Sequence, residues 1–311
     1  MARIVTVTLN PAIDKTIRLP RFTPGRVNRI TDVRSDPGGK GINVARALKQ
    51  WGEKPLALGW VGGHLGKALI EELDHWGIDH RFVAVEGEPR TNLKIMEQET
   101  GRVTDVNEPG FQVQDQHMKS LLETYEAALA EAEVVVLAGS LPPGVPSDFY
   151  GTLILRAKQR RTHVFLDADG VPLKEGIKRF PHVIKPNLAE LEQVLGRRLP
   201  EEDDRIKAGV DLCREGIGLV TLSLGEEGAW FFAGERGIRA IPPAISVASP
   251  VGAGDTMVAA LAMGKVRGWS LEETARFSVA AGSATASKAG TQLGTWEEAQ
   301  SLSERVQLSS C

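Results

Sequence analysis

The feature that most constrains the fold is a regular alternation of short apolar runs with segments of helical period. The apolar runs predict buried strands at 3–9, 55–61, 134–138, 164–167, 182–185, 219–224 and 229–233. Helical periodicity is found at 41–51, 65–76, 116–133, 255–267 and 271–288. Strands that are apolar throughout and separated by helices indicate a mostly parallel central sheet with helices on both faces. Ligands in such α/β folds bind at the carboxyl ends of the strands, so the residues that follow each strand are the first candidates for a site.

Two stretches interrupt this alternation. Residues 13–36 and 89–107 are rich in Thr, Val, Arg and charged residues and show no helical period. They predict short strands outside the main sheet, which we interpret as a small β lid. A small sheet with one apolar face needs a covering partner, so we expect a homodimer that forms through the lid.

Composition narrows the class of protein. The 311 residues carry a net charge of −3, which does not favour a nucleic-acid partner. The two cysteines, Cys213 and Cys311, are too few for a disulfide framework. No apolar segment approaches the length of a membrane span, and the first residues do not resemble a signal peptide. We therefore expect a single cytoplasmic domain over residues 1–311, with no membrane partner.

The most informative motif is SPVGAGDT at 249–256. Gly252, Ala253 and Gly254 precede a helical run whose first turn carries Asp255. Small residues allow close approach of a ligand, and the free amides of a helix start attract anions. Asp255 would then be placed to accept a proton from a substrate hydroxyl. The alternative is an acidic residue that complements the helix dipole after a glycine turn.

A second glycine-rich helix entry is PGGKGINVA at 37–45. Gly38 and Gly39 permit close backbone approach, Lys40 adds a cation, and Asn43 offers a donor and an acceptor. A flexible hinge before an ordinary helix is the alternative.

Two further motifs each follow a predicted strand. In KPNLAE at 185–190, Lys185 could meet a phosphate, while Asn187 and Glu190 could hold water around Mg²⁺. The same pair could instead form a helix capping box. In SLGEEG at 223–228, the glycines could line a nucleotide or could simply close a β-hairpin.

Taken together, eight segments resemble the PfkB family of ribokinase-like carbohydrate kinases, and within it the phosphofructokinase branch. The segments are TLNPAID at 8–14, PGGKGINVAR at 37–46, RTN at 90–92, GSLPPGV at 139–145, VIKPNLAEL at 183–191, SLGEEGA at 223–229, VGAGDTMVAA at 251–260 and VAAGSAT at 279–285. They run nearly from end to end of the chain. The resemblance implies a ribokinase-like α/β fold with a β lid that closes over a sugar.

The resemblance also implies a role for each matching residue. Asp14 would bind sugar hydroxyls with Gly38, Gly39 and Asn43 beside it, and Arg90, Ser140 and Lys40 would meet a phosphate on the substrate. Lys185, Asn187, Ser223, Gly225, Gly228 and Ser283 would bind ATP. Glu190, Asn187 and Asp167 would hold Mg²⁺, mostly through water. Gly252, Ala253 and Gly254 would form an anion hole, and Asp255 would be the base. Pro250 replaces a residue with a hydroxyl in many members, which weakens the expectation of a monovalent-cation site.

The implied reaction is ATP-dependent phosphorylation of a ketohexose phosphate. Lys40 in GGKG is similar to members that act on fructose 1-phosphate or on tagatose 6-phosphate. The length and sequence of 90–110 and PGRVN at 24–28 are similar to members that act on fructose 1-phosphate. Fructose 6-phosphate and tagatose 6-phosphate remain alternatives, and a non-catalytic sugar or nucleotide sensor is an alternative of another class.

Overall fold

The computed structural model describes residues 4–310, and its centre is a ten-stranded sheet. Its strands are β1 (Ile4–Thr8), β4 (Leu56–Val61), β5 (Asp79–Ala84), β8 (Val134–Ala138), β9 (His163–Asp167), β10 (Val183–Ile184), β11 (Leu219–Ser223), β12 (Ala229–Ala233), β13 (Arg236–Ile241) and β14 (Gln307–Ser310). They lie in the order β14-β13-β12-β11-β10-β9-β8-β1-β4-β5. The seven strands from β11 to β5 are parallel, and β12, β13 and β14 are antiparallel additions at one edge. The predicted mostly parallel sheet is confirmed.

Ten α-helices lie in the described part of the chain: α1 (Lys40–Gln50), α2 (Gly63–His75), α3 (Asp115–Leu129), α4 (Phe149–Gln159), α5 (Gly170–Ile177), α6 (Leu188–Leu195), α7 (Glu202–Glu215), α8 (Ala253–Arg267), α9 (Leu271–Ala286) and α10 (Trp296–Ser303). Helices α3 to α7 share one apolar core with one face of the sheet, and α1, α8, α9 and α10 share another with the opposite face. Helix α8 is buried along nearly its whole length, which suits its Ala- and Met-rich sequence. Its amino terminus is thereby fixed at the carboxyl ends of the strands.

The two predicted lid segments form a separate four-stranded sheet. Its strands are β2 (Ala12–Leu19), β3 (Asp32–Gly38), β6 (Arg90–Glu97) and β7 (Val103–Asn107), in the order β3-β2-β6-β7. Strands β2 and β6 pair in parallel, and the outer pairs are antiparallel. We call this unit the lid sheet. Because β2 follows β1 directly and β3 runs into α1, the lid sheet is attached beside the carboxyl ends of the central strands.

Some boundaries differ from the sequence expectation. The helix predicted over 116–133 ends at Leu129, since the chain must turn before the buried run of β8 begins at Val134. The strands β5, β13 and β14 were not predicted. Arg3, the expected first residue of strand 3–9, and Cys311 lie outside the described residues. Within residues 4–310, none of the helices combines the length and the apolar character that crossing a bilayer requires.

Candidate active site

A cleft of about 1180 Å³ lies between the lid sheet and the carboxyl ends of the central strands. It brings together residues predicted from separate motifs: Asp14, Gly39, Lys40, Asn43, Arg90, Asp167, Lys185, Asn187, Glu190, Ser223, Gly225, Gly228, Gly252, Ala253, Gly254, Asp255 and Ser283. Ser140 lines a smaller cavity of about 450 Å³, and Arg90 borders both spaces. Gly38 stands at the end of β3, against Asp14.

Asp255 is buried in the first turn of α8, with only 7% of its surface exposed. Its Oδ2 accepts a hydrogen bond of 2.7 Å from Nδ2 of Asn43 in α1. The Oδ1 of Asn43 accepts a long hydrogen bond of 3.5 Å from Nη1 of the Arg46 guanidinium. The Asn43 amide is therefore oriented with its donor toward the carboxylate, and it fixes one Asp255 oxygen in place.

Burial raises the pKa of Asp255 to about 6, and the nearby negative charge of Asp167 adds to the rise. Lys40, the hydrogen bond from Asn43, and Lys185 oppose the shift. A carboxylate with this pKa is ionised at neutral pH and is a stronger proton acceptor than an exposed aspartate. These are the properties expected of a general base that works near neutral pH.

The turn before α8 is built to expose backbone amides. Gly252 is the N-cap of α8 with φ 79°, a left-handed conformation that strongly favours glycine. The first amides of a helix have no helical acceptor. Within the described residues the Ala253 amide donates only a long bond of 3.3 Å, to the Pro250 carbonyl. A Cβ on Gly254 would lie 3.4 Å from the Lys185 ammonium, so this cation stands directly beside the turn.

A cluster of two lysines and two carboxylates adjoins the turn. Asp167, at the end of β9, has one oxygen 3.1 Å from the Lys40 ammonium and 3.5 Å from that of Lys185. Glu190 lies 4.0 Å from Lys40. Burial alone would raise the pKa of Asp167, but Lys185 and Lys40 outweigh it and hold the pKa below its ordinary value. In this structure the Lys40 ammonium thus faces the carboxylates, although it was expected to contact the substrate phosphate.

Both simpler interpretations of the two strand-end motifs are confirmed. Asn187 and Glu190 form a capping box at α6, with backbone-to-side-chain bonds of 2.9 and 2.8 Å. Strands β11 and β12 form an antiparallel hairpin around the turn that carries Gly225 and Gly228. These residues also line the cleft, so the local and the functional interpretations coexist. Across residues 4–310, no cluster of three or more His, Cys, Asp or Glu side chains has the arrangement of a metal site.

The lid sheet supplies the opposite wall of the cleft. Asp14 of β2 is paired in register with Asn92 of β6, whose Nδ2 donates 2.9 Å to Asp14 Oδ1. A Cβ on Gly38 would lie 2.2 Å from Asp14 Oδ2, so only glycine leaves room for this carboxylate. Burial raises the pKa of Asp14, against the effects of Asn92, Lys94 and Arg90. The Asp14 carboxylate is held where it can accept hydrogen bonds from hydroxyl groups.

Sequence reasoning missed two groups of residues. Asn92 was noted within RTN without a role, and Asn10 within TLNPAID was given none, although each makes a long-range polar contact in the site. An apolar wall faces the hairpin turn and is formed by Pro242, Pro243, Ala244, Ile245, Val247, Met257, Val279 and Ala286. The residues of this wall come from a loop and two helices. The one part of this wall that is recognisable in the sequence is the Pro-Pro pair that follows the last residue of β13.

The fold and the cleft define an α/β kinase of the ribokinase-like type, in which a lid and a glycine turn enclose a buried carboxylate. Comparison with known protein families identifies the family. The model of the family described as "pfkB family carbohydrate kinase" matches residues 7–298 of this chain. The chain therefore belongs to the PfkB family of carbohydrate kinases.

Similar proteins include a 1-phosphofructokinase of Xanthomonas campestris pv. campestris, which is 41% identical over 284 residues, covering 89% of this chain and 88% of the relative. A 1-phosphofructokinase of Rhodobacter capsulatus is 36% identical over 305 residues, covering 98% and 96%. The crystal structure of Escherichia coli phosphofructokinase-2 with substrates and products superposes with a TM-score of 0.92 at 32% identity, covering 98% of this chain and 99% of that one.

Proposed function

We propose that this chain transfers the terminal phosphoryl group of ATP to fructose 1-phosphate and forms fructose 1,6-bisphosphate. The observation that carries the proposal is the buried Asp255 carboxylate, which lies at a helix start behind a glycine turn and shares one cleft with Asp14. The names of the two curated relatives support the choice of substrate. The choice of substrate is also supported by Lys40 within GGKG and by the sequence of residues 90–110.

In this proposal the lid residues orient the sugar and Asp255 removes a proton from its free primary hydroxyl. Asp14, fixed by Asn92, accepts hydrogen bonds from the ring hydroxyls. Asn43 holds one oxygen of Asp255, so the other is the acceptor that we assign to the attacking hydroxyl. The transition state of phosphoryl transfer is loose, so the proton leaves late and positioning matters more than basicity.

Negative charge on the migrating phosphoryl group would be stabilised by the turn at 252–254 and by Lys185. Backbone amides fixed before the reaction stabilise such charge without reorganisation. The Lys185 ammonium is already placed beside Gly254 by Asp167. Ser223, Gly225, Gly228 and Ser283, with the apolar wall described above, offer a surface for the nucleotide.

The carboxylates fit a divalent cation that is held mostly through water. Asp167 Oδ2 is buried and has no hydrogen-bond partner among the described residues. Glu190 lines the same cleft, and its carboxylate lies 4.0 Å from the Lys40 ammonium that Asp167 also contacts. Mg²⁺ keeps several waters and takes few protein ligands, so a sparse donor set is sufficient. We propose that Asp167, Glu190 and Asn187 hold Mg²⁺ bound to ATP, which would supply charge neutralisation at the phosphates.

The proposed activity is tested by measuring ADP release in a coupled assay with fructose 1-phosphate, fructose 6-phosphate and tagatose 6-phosphate. We expect the highest kcat/KM with fructose 1-phosphate, complete dependence on Mg²⁺, and loss of activity with a chelator. A higher kcat/KM with fructose 6-phosphate or tagatose 6-phosphate would show that the proposed substrate is wrong, while the proposed kinase activity would stand. No turnover of any of them would favour the sugar or nucleotide sensor.

We also propose that the lid sheet pairs with that of a second copy. Large apolar side chains are exposed on and beside this sheet at Val27, Ile30, Val33, Val103 and Val106, with exposed fractions of 48–83%. Light scattering is expected to give twice the chain mass of 33.6 kDa for the wild type and one chain mass for Val33→Asp with Val106→Asp. Val171→Asp, at a residue of α5 that is 56% exposed, is the matched control and should leave the mass unchanged. A monomeric wild type would contradict this assembly.

A further inference from the structure

Asn10 joins three segments at the smaller cavity, which shares Arg90 with the cleft. It follows β1, the third strand from the β5 edge of the central sheet, and only 4% of its surface is exposed. Its Nδ2 donates 3.1 Å to the Pro109 carbonyl, in the segment that returns from the lid sheet. The same nitrogen donates 3.3 Å to Ser140 Oγ, in the loop that follows β8.

The chemistry of the neighbours fixes the orientation of this amide. The Pro109 carbonyl can only accept a hydrogen bond, so the NH₂ group of Asn10 must face it. The opposite side of the amide is closely packed, since a Cβ on Gly110 would lie 2.3 Å from Asn10 Oδ1. Asn10 is therefore held as a donor toward Ser140.

This bond determines what the Ser140 hydroxyl can do. Because its oxygen accepts from Asn10, its own proton is available for another acceptor, and no acceptor for it is found among residues 4–310. Arg90 lines the same cavity, and its Nε is buried without a hydrogen-bond partner within the described residues. The cavity of about 450 Å³ is thus bordered by an available O–H and an available N–H of a cation. This combination suits a phosphate group.

We propose that Asn10 is a positioning residue that makes Ser140 a hydrogen-bond donor to the phosphate already on the substrate. Asn10 thereby determines the preference for phosphorylated over unphosphorylated sugars. This inference rests on the proposed function, because it deepens the assignment of one end of the same site. Asn10 acts through Ser140, so removing it matters only while Ser140 is present.

The test is a double-mutant cycle with Asn10→Ala and Ser140→Ala. Loss of one hydrogen bond to a charged group is worth about tenfold in binding, so Asn10→Ala should raise KM for fructose 1-phosphate about tenfold. The KM for ATP and the kcat/KM for unphosphorylated fructose should change less than about twofold. In the Ser140→Ala background, adding Asn10→Ala should have no further effect. Ser147→Ala is the matched control, since Ser147 lines the same cavity but is not bonded to Asn10. When Asn10→Ala is added to Ser147→Ala, the KM for fructose 1-phosphate should again rise about tenfold.

Two further measurements keep the outcome decisive. Calorimetric binding of fructose 1-phosphate without ATP gives the same variant-to-wild-type ratios independently of turnover, so a wrong proposed reaction is distinguished from a wrong role for Asn10. Asn10→Asp is nearly isosteric and should weaken binding more than Ser140→Ala does, because it brings a negative charge to the anion. Additive effects of the two alanine variants, or an equal loss with unphosphorylated fructose, would overturn the inference.

Discussion

Asp255→Asn is expected to lower kcat by at least ~10²-fold with little change in the KM for sugar or ATP, the low end of general-base effects. The amide keeps the shape of the carboxylate and can still meet Asn43, so both substrates should bind. It cannot accept the proton of the attacking hydroxyl. The measurement is steady-state kinetics of ADP release at neutral pH, with the sugar and the nucleotide varied separately.

A matched control separates this role from the simpler one of an acidic residue at a helix start. Asp115 occupies the first turn of α3 and is exposed, so Asp115→Asn removes a similar interaction with a helix dipole outside the cleft. We expect normal kcat for this variant and at most a small loss of stability. If Asp255→Asn also retained nearly normal turnover, the assignment of Asp255 as the base would be wrong.

The parts of the fold that sequence predicts best are those with strong local signals. The runs at 134–138 and 229–233 are apolar throughout because both faces of the central sheet are covered, and they form β8 and β12 as predicted. Strand β5 was missed because it pairs with one neighbour at the sheet edge and is only partly buried, so its charged sequence DHRFVA has no continuous apolar run. The short edge strand β14 was missed in the same way.

The candidate site shows a similar division. The glycine turns were predicted because close approach and left-handed backbone leave a direct trace in sequence, as at Gly252. The orientation of Lys40 leaves no trace in the sequence, because its partner Asp167 is 127 residues away and the same side chain could have reached either end of the cleft. Asn10 was missed because its two acceptors, at Pro109 and Ser140, become neighbours only in the folded chain.

The pH dependence of kcat is expected to follow the titration of Asp255. Burial raises the pKa of this carboxyl to about 6, and only its ionised form can act as the base. Activity should therefore rise with pH up to a plateau above pH 7 and fall about tenfold for each unit below pH 6. Asp167→Asn removes a like charge that contributes to the raised pKa, so the midpoint of the profile should move to lower pH whatever the residual activity. A midpoint that did not respond to this change would assign the titration to another group.

The ionised form of Asp255 that favours activity disfavours folding, so the stability of the protein gives an independent check of the raised pKa. An aspartate with an unfolded pKa of 3.8 and a folded pKa of about 6 binds its proton more tightly in the folded state. Its contribution to stability is therefore complete below about pH 4 and is lost as pH rises through 6. The difference between these two pKa values corresponds to about 3 kcal/mol. The free energy of unfolding of Asp255→Asn, measured against wild type, should be similar near pH 4 and higher by up to about 3 kcal/mol at neutral pH. A variant that lost both activity and stability at neutral pH would show that the ionised Asp255 is held by favourable contacts, and the raised pKa of this carboxyl would be contradicted.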